Sequence, residues 1–312
     1  MHNLPLLQKG DGVGIISSGF RILQDIDLQY ALERLEAMGL KGIGGDAVLK
    51  QHGYLAGTDE QRAQDINRMF ADPKIKAIFQ LRGGFGSARI LDLLDYDLIA
   101  KNPKILMGLS DTTALLLAIY HKTGLTTFHG PNIGREWPEF TRQYVQALLF
   151  ENKTITLKNP EPKSDDLTNT EDRIQVIRKG QAQGRLIGGN LTVLTSIIGS
   201  NYLPDFTDAI LFLEEVNEAP YKIDRMFTQL KLAGILDKLT GIIIGKFTHC
   251  IPNNPGSTYG SFNIMQILEH HLLPLNIPAW YGAMISHEKR IFTLPIGAMT
   301  EINAEIGTIK LF

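Results

Sequence analysis

The chain has 312 residues, 44% of them hydrophobic, and a formal net charge of −2 from 31 Lys and Arg against 33 Asp and Glu. That length suits two domains with cores of their own, and the balanced charge, with no dense Lys/Arg block, excludes the electrostatic footprint of a nucleic-acid or anionic-membrane binder. One cysteine, Cys250, excludes an internal disulfide framework.

No apolar run reaches membrane-spanning length, and the start Met1-His-Asn-Leu-Pro lacks the basic and apolar regions of an export signal. A cytoplasmic protein with a small-molecule or peptide partner is expected, with no nucleic acid and no membrane.

In the first half, short apolar runs alternate with helical patterns, the signature of a parallel sheet covered by helices. Val13–Ser17 reads as a strand and Asp27–Met38 as a helix stopped by Gly39. Asp59–Phe70 is helical up to an Ala-Asp-Pro stop, Ile75–Leu81 a strand, and Ser87–Leu94 a helix. Ile105–Leu109 is a third strand, followed by a helix through Tyr120 that Gly124 closes, and Leu125–Phe128 is one more strand. Residues 1–150 thus form an α/β domain.

The polar stretch 151–183, with Pro160, Pro162 and the run from Ser164 to Asp172, reads as a linker. Residues 184–312 read as a smaller, β-rich domain. Strands are expected at Ala209–Leu213, Gly241–Phe247 and Ile291–Leu294. An amphipathic helix over Tyr221–Leu239 carries Ile223, Met226, Phe227, Leu230 and Ile235 at helical spacing.

Ile105-Leu-Met-Gly-Leu-Ser110 is a buried run that stops at one serine, with a helix directly after it. Such a turn pushes the hydroxyl clear of the sheet and sets the N–H of Asp111 at a positive helix N-terminus. The pattern fits a nucleophile elbow, or a serine that merely caps the helix; Thr112 stands where the hydrolase pattern has its second glycine.

Ligands of open α/β sheets bind beyond the carboxyl ends of the strands. Ser17-Ser18-Gly19, Arg82-Gly83-Gly84-Phe85-Gly86 and Ser110 all lie at such ends. The glycine loop lets backbone approach a ligand closely, yet it matches neither phosphate-binding fingerprint, and Gly10-Asp-Gly12-Val-Gly14 precedes its strand.

A serine nucleophile needs a base. His2 is terminal, His52 and His121 lie in polar contexts, and His270 and His271 fall late on a surface helix. His249 follows a strand, and His129 and His287 each follow a strand-like run beside turn residues. For the acid that orients the base, Ile210-Leu-Phe-Leu-Glu214-Glu215 supplies two carboxylates on opposite faces of one strand, and alternation does not choose between them. A solvated strand end is the plain reading of both. No Cys/His cluster has metal-ligand spacing, and Cys250 carries no signature of a nucleophile.

Taken together these motifs resemble the LD-carboxypeptidases, the muramoyl-tetrapeptide carboxypeptidases that also include the microcin-immunity peptidases. The likeness runs from Leu7-Gln-Lys-Gly-Asp-Gly-Val-Gly-Ile-Ile-Ser-Ser18 through Gly53–Ala63, Arg82–Gly86, Gly108–Leu115 and Phe128-His-Gly-Pro131. It continues over Ile187-Gly-Gly-Asn-Leu191, Leu213-Glu-Glu-Val216 with Pro220–Arg225, and His287 ahead of Leu294-Pro-Ile-Gly297.

The resemblance implies a flavodoxin-like or amidotransferase-like parallel α/β domain and a β-rich, barrel-like C-terminal domain, often in a homodimer. It implies a catalytic triad of Ser110, Glu214 and His287, and an oxyanion hole from the backbone of Asp111 and Gly84, with Gly83 as the alternative. Arg82, Gly83, Phe85 and Ser18 are then candidate substrate contacts. The implied reaction is hydrolysis of the amide between the L-centre of a diamino acid and a terminal D-alanine in murein tetrapeptide during cell-wall recycling, with no metal or organic cofactor. A microcin-immunity-type peptidase acting on aminoacyl-nucleotide analogues, and a module that binds peptidoglycan fragments without cleaving them, are the alternatives. Ser17 stands where the family usually has proline.

Overall fold

The computed structural model describes residues 4–151, 153–161, 167–168, 170–252 and 260–312. The chain divides into two compact units: residues 1–153, 199–204 and 293–297 form one, and 154–198, 205–292 and 298–312 the other. Among the described residues, no helix is long and apolar enough to cross a membrane.

The first unit is built on a six-stranded sheet. β1 (Gly12–Ile16), β2 (Lys41–Gly44), β3 (Ile75–Gln80), β4 (Ile105–Gly108) and β5 (Thr127–His129) are parallel in the order 2-1-3-4-5. That is the flavodoxin-like order, whose switch point for ligands lies between β1 and β3. A sixth strand, Leu294–Ile296 (numbered β12), pairs antiparallel with β5, Leu294 opposite His129. It begins where the strand expected at Ile291–Leu294 ends. β2 went unread because Lys-Gly-Ile-Gly has weak strand propensity; it holds its place by parallel pairing along β1.

Helices α1 (Ile26–Ala37), α2 (Asp59–Ala71), α3 (Tyr96–Lys101), α4 (Thr113–Thr123) and α5 (Glu139–Val145) accompany this sheet. The helix expected at Ser87–Leu94 is a 3₁₀ segment, Ser87–Leu93. α2 begins in a complete capping box between Thr58 and Gln61. α4 has no polar face over Ala114–Ile119, all of which are fully buried, and Gly124 ends it in the left-handed region. At roughly 1.5–3 kcal/mol per buried leucine or isoleucine side chain, α4 is a firm platform for the turn that precedes it.

The second unit is an eight-stranded mixed sheet. Its strands are β6 (Ile155–Leu157), β7 (Gln175–Arg178), β8 (Gln181–Asn190), β9 (Ala209–Val216), β10 (Leu239–Thr248), β11 (Ala279–Ala283), β13 (Met299–Asn303) and β14 (Thr308–Leu311). β8, β9, β10 and β11 run parallel, joined through α6 (Leu191–Ser196), α7 (Pro220–Leu232) and α8 (Ile264–Leu272). This unit is therefore α/β at its centre, and antiparallel only towards its edges. The strand order across this sheet is β6-β14-β13-β8-β9-β10-β11-β7.

Two expectations change here. The stretch 151–183, read as a linker, contributes β6, β7 and the start of β8; part of its polar run, residues 162–166 and 169, lies outside the described residues. The helix expected to reach Leu239 stops at Leu232, because Gly234 takes a φ of 67° and turns the chain. Ile235, the last residue of the apolar pattern, is still buried, but from beyond the helix.

Candidate active site

In the first unit the carboxyl ends of β1, β3 and β4 carry the residues that the sequence singled out. Ser110 follows β4 with a φ of 68°, in the left-handed region that a residue with a side chain seldom occupies. Holding it there stores roughly 1–3 kcal/mol. Ser110 is not a cap: Leu109 precedes the 3₁₀ turn Ser110–Thr112 and Thr112 precedes α4, and neither makes a side-chain capping bond. Leu109 is held by its N–H, which donates to Asn132 Oδ1 at 2.9 Å. A strained, half-buried serine on a strand–turn–helix is the arrangement of a nucleophile elbow.

The glycine loop lies directly against this serine. A Cβ on Gly83 would fall 2.8 Å from Ser110 Cβ and 3.1 Å from its Oγ, so only glycine leaves room for the hydroxyl. Gly84, at φ 141°, packs on Phe20 instead. Gly83→Ala is expected to leave a folded protein in which any turnover that uses the Ser110 hydroxyl is at least about 100-fold slower, since a small misplacement at a reacting group costs that much. Steady-state kinetics beside a melting curve checks it.

Behind the loop is a buried polar network that the sequence did not announce. The Asp111 carboxylate accepts the Ser87 N–H at 2.8 Å and the Ser87 hydroxyl at 2.7 Å. Burial pushes the Asp111 pKa up, while the bonds from Ser87 and Gly86 work against the rise. Ser87 Oγ lies 2.6 Å from Ser18 Oγ, and the Ser18 hydroxyl donates to Gln80 Oε1 at 2.9 Å. Gln80 Nε2 donates to the Arg82 carbonyl at 2.6 Å. Arg62, fully buried, donates to the carbonyls of Ser18 and Gly86 and pairs with Asp59. Ser18, expected to contact substrate, is thus sequestered as a support for the loop. Arg82 and Phe85 are at the surface: the Arg82 guanidinium stands 4.9 Å over the Phe20 ring, and Phe85, 54% exposed, meets Phe20 and Tyr54 edge-on at 5.1 Å.

In the second unit the carboxyl ends of β8, β9 and β10 and the segment after β11 gather the rest. His287 Nδ1 lies 2.7 Å from Glu214 Oε2, and Glu214 is fully buried. Asn190, the last residue of β8, donates through Nδ2 to Glu214 Oε1 at 3.2 Å and to Glu215 Oε1 at 3.1 Å. Its own Oδ1 caps α6 by accepting the Val193 N–H. Glu215 accepts the N–H and hydroxyl of Thr192 at 2.8 and 2.7 Å and the N–H of Val216 at 2.8 Å.

The plain expectation of a solvated strand end is overturned: Glu214 and Glu215 are 0% and 2% exposed. A parallel sheet with helices over it has no wet face, and both carboxylates come within reach of one amide nitrogen, Asn190 Nδ2. Their partners separate their roles. Glu214 holds an imidazole, whereas Glu215 ties β9 to the start of α6. Burial raises the Glu215 pKa, with the Thr192 and Val216 bonds opposing it.

Asn190 was invisible as a functional residue, although Gly188-Gly-Asn190 at a strand end was its only local signal. Asn190→Ala would leave two buried carboxylates without their shared donor. A loss of about 1–3 kcal/mol is expected, read as a lowered Tm together with reduced activity.

His129 is buried in β5 of the first unit, and His249 is exposed at a φ of 55°. His271, expected on a wet helix face, is nearly buried, with Nε2 2.7 Å from Asp224 Oδ1 and its ring stacked on Phe227. Burial pushes the Cys250 thiol up to about 11, so it stays protonated near neutral pH. Among the described residues no His/Cys/Asp/Glu group has the makings of a metal site.

Two family models match the chain: the LD-carboxypeptidase N-terminal domain over residues 13–130 and the LD-carboxypeptidase C-terminal domain over residues 183–302. A relative named "Probable murein peptide carboxypeptidase", from Bacillus subtilis strain 168, is 37% identical, with 95% of this chain and 90% of the relative covered. The microcin C7 self-immunity protein MccF of Escherichia coli is 34% identical, with 98% and 94% covered.

Among solved structures, MccF without ligand superposes with a TM-score of 0.87 at 32% identity, over 99% of this chain and 97% of the other. Muramoyltetrapeptide carboxypeptidase from Oxalobacter formigenes gives 0.80 at 29% identity, over 96% and 97%. The fold and these relatives define a hydrolase of the peptidase class. Within that class, the chain belongs to the LD-carboxypeptidase family.

Proposed function

We propose that this protein is a serine-type LD-carboxypeptidase that removes the terminal D-alanine of murein tetrapeptide in cytoplasmic cell-wall recycling, with Ser110 as nucleophile, His287 as base and Glu214 as the acid that orients the base. The observation that carries the reading is the left-handed backbone of Ser110 with Gly83 pressed against its hydroxyl. The Glu214–His287 bond supports it, and so does the murein peptide carboxypeptidase relative.

In this mechanism Glu214 accepts the Nδ1 proton of His287, which leaves the basic lone pair on Nε2. Ser110 Oγ attacks the carbonyl carbon of the scissile amide as its proton passes to Nε2. The N–H of Asp111 and one from the Gly83–Gly84 step hold the oxyanion. The tetrahedral species collapses with transfer of that proton to the leaving amine, and D-alanine departs. Water then attacks the acyl-Ser110 ester, gives its proton to Nε2, and a second collapse releases the shortened peptide and restores the serine. Arg82 and Phe85 are proposed to border the substrate, and the active form is proposed to be a homodimer.

A second reading, a peptidase of the microcin-immunity type using the same residues, is favoured by one observation: the higher TM-score with MccF. Solved MccF structures include complexes with aspartyl sulfamoyl adenosine and glutamyl sulfamoyl guanosine. Purified protein incubated in parallel with murein tetrapeptide and with aspartyl sulfamoyl adenosine separates the two. Release of D-alanine at a kcat/KM at least about tenfold above nucleotide turnover is expected. Cleavage of the nucleotide alone would establish the second reading, and binding without turnover of either would replace both with a binding module.

A further inference from the structure

His287 lies in a segment with no helix or strand, between β11 and Leu294, yet a base must be placed to within a fraction of an ångström. Glu214 fixes one ring nitrogen, but a single hydrogen bond does not fix the backbone that carries the ring. Within the segment the Glu288 N–H donates to Ser286 Oγ and the Phe292 N–H to the Met284 carbonyl, and Lys246, near the carboxyl end of β10, ties it to the sheet.

Lys246 grips the segment on both sides of the histidine. Its N–H donates to the Ile285 carbonyl at 3.0 Å, and its Nζ bonds Glu288 Oε2 at 2.8 Å. The same ammonium bonds Asp172 Oδ1 at 2.8 Å, and Arg290, two residues beyond Glu288, pairs with Asp172 Oδ2 at 2.6 Å. Asp172 is itself unusual: its carboxylate is nearly buried and its φ is 52°. A left-handed aspartate is kept where its surroundings determine it. Asn159 adds further ties, donating to the carbonyls of Asp172 and Gly282 and accepting the Met284 N–H.

Within the cluster two cations face two carboxylates, so its formal charges balance. Burial works against the Lys246 ammonium, but the paired carboxylates outweigh it and hold its pKa above the ordinary value. Lys246 therefore stays charged, and its effect is one of place.

We infer that Lys246, through Glu288 and Asp172, is a positioning residue that sets the catalytic placement of His287. This rests on the proposed role of His287 as base. The test is Lys246→Met and Lys246→Arg in the full-length protein, with kcat and KM on the turned-over substrate and the low-field proton NMR signal of the His287 Nδ1–H···Glu214 bond. Lys246→Met is expected to lower kcat at least about tenfold with KM within about twofold, and to broaden or shift that signal. Lys246→Arg should restore most of both.

Unchanged kcat and an unchanged signal in a folded Lys246→Met protein would overturn the inference. So would a lost kcat with the signal intact, since Lys246 would then act other than through His287. If Lys246→Met does not fold, Glu288→Gln, which weakens one arm of the grip, should show the same split to a smaller degree, and normal kcat and signal there would equally overturn it. The NMR signal depends on the Glu214–His287 pair and not on Ser110, so it stays informative if the serine mechanism fails.

Discussion

Ser110→Ala is expected to fold normally and to lose roughly 10³- to 10⁶-fold in kcat, because removing the proposed nucleophile of a triad leaves only binding and oxyanion stabilisation. KM should change little, since the hydroxyl adds little to ground-state binding. The local backbone yields a companion result that few residues offer. With φ at 68°, Ser110→Gly relieves a left-handed strain and should be as stable as the parent or more so, by up to about 1 kcal/mol in spite of the larger chain entropy of glycine. A variant that is at once dead and undiminished in Tm indicates a conformation kept for chemistry. Turnover near the parent rate in either variant would remove Ser110 from the mechanism.

Glu214→Gln and Glu215→Gln are expected to fail in different ways, although the residues are adjacent and equally buried. Glutamine at 214 keeps the shape of the side chain but can present its amide to His287 Nδ1, which favours the tautomer with the proton on Nε2 and, in the proposed mechanism, leaves no base for Ser110. A fall in kcat of about 10⁴-fold is the precedent for that change in a serine triad, with KM nearly unchanged.

Glutamine at 215 leaves the His287 bond alone. It weakens the bonds from the Thr192 N–H and hydroxyl, and from Val216, that pin β9 to α6. A stability loss of about 1–3 kcal/mol follows, with kcat within a few-fold of the parent. The alternation of a strand alone would have made Glu215→Gln nearly silent; burial on both faces of the sheet makes it a stability variant. Measuring kcat and Tm for the pair decides: a crippled but stable Glu215→Gln beside an active Glu214→Gln would place the acid one residue along.

Apart from β2, the strands of the first unit were legible because their signals are local. Apolar runs of four to seven residues, the Ala-Asp-Pro stop after α2 and Gly124 at the end of α4 all act within a turn of where they stand. So does the elbow, whose strand, serine and buried helix are contiguous. The second unit was harder for a physical reason. α6 has only six residues, too few for helical periodicity to emerge, so the parallel β8–β11 core read as merely strand-rich.

The partners that hold the candidate residues within each unit are likewise far apart in sequence. Asn190 serves Glu214 across 24 positions, Ser87 serves Asp111 across 24, and Lys246 serves Glu288 across 42. No spacing pattern links such residues. Glu214 against Glu215 is the sharpest case, since the strand pattern set both at the same end and only the hydrogen bonds of the folded chain separate an imidazole holder from a helix tether.

The central claim is an L,D-specific carboxypeptidase that works through Ser110, and product analysis tests it most directly. Murein tetrapeptide with the native L,D terminal bond, and its diastereomer with a D-configured centre at the scissile residue, are each incubated with the parent protein and with Ser110→Ala, and the products are read by mass spectrometry. The account predicts loss of one alanine from the L,D peptide alone and only with the parent protein. Equal cleavage of both diastereomers, or alanine release by Ser110→Ala at the parent rate, would contradict it.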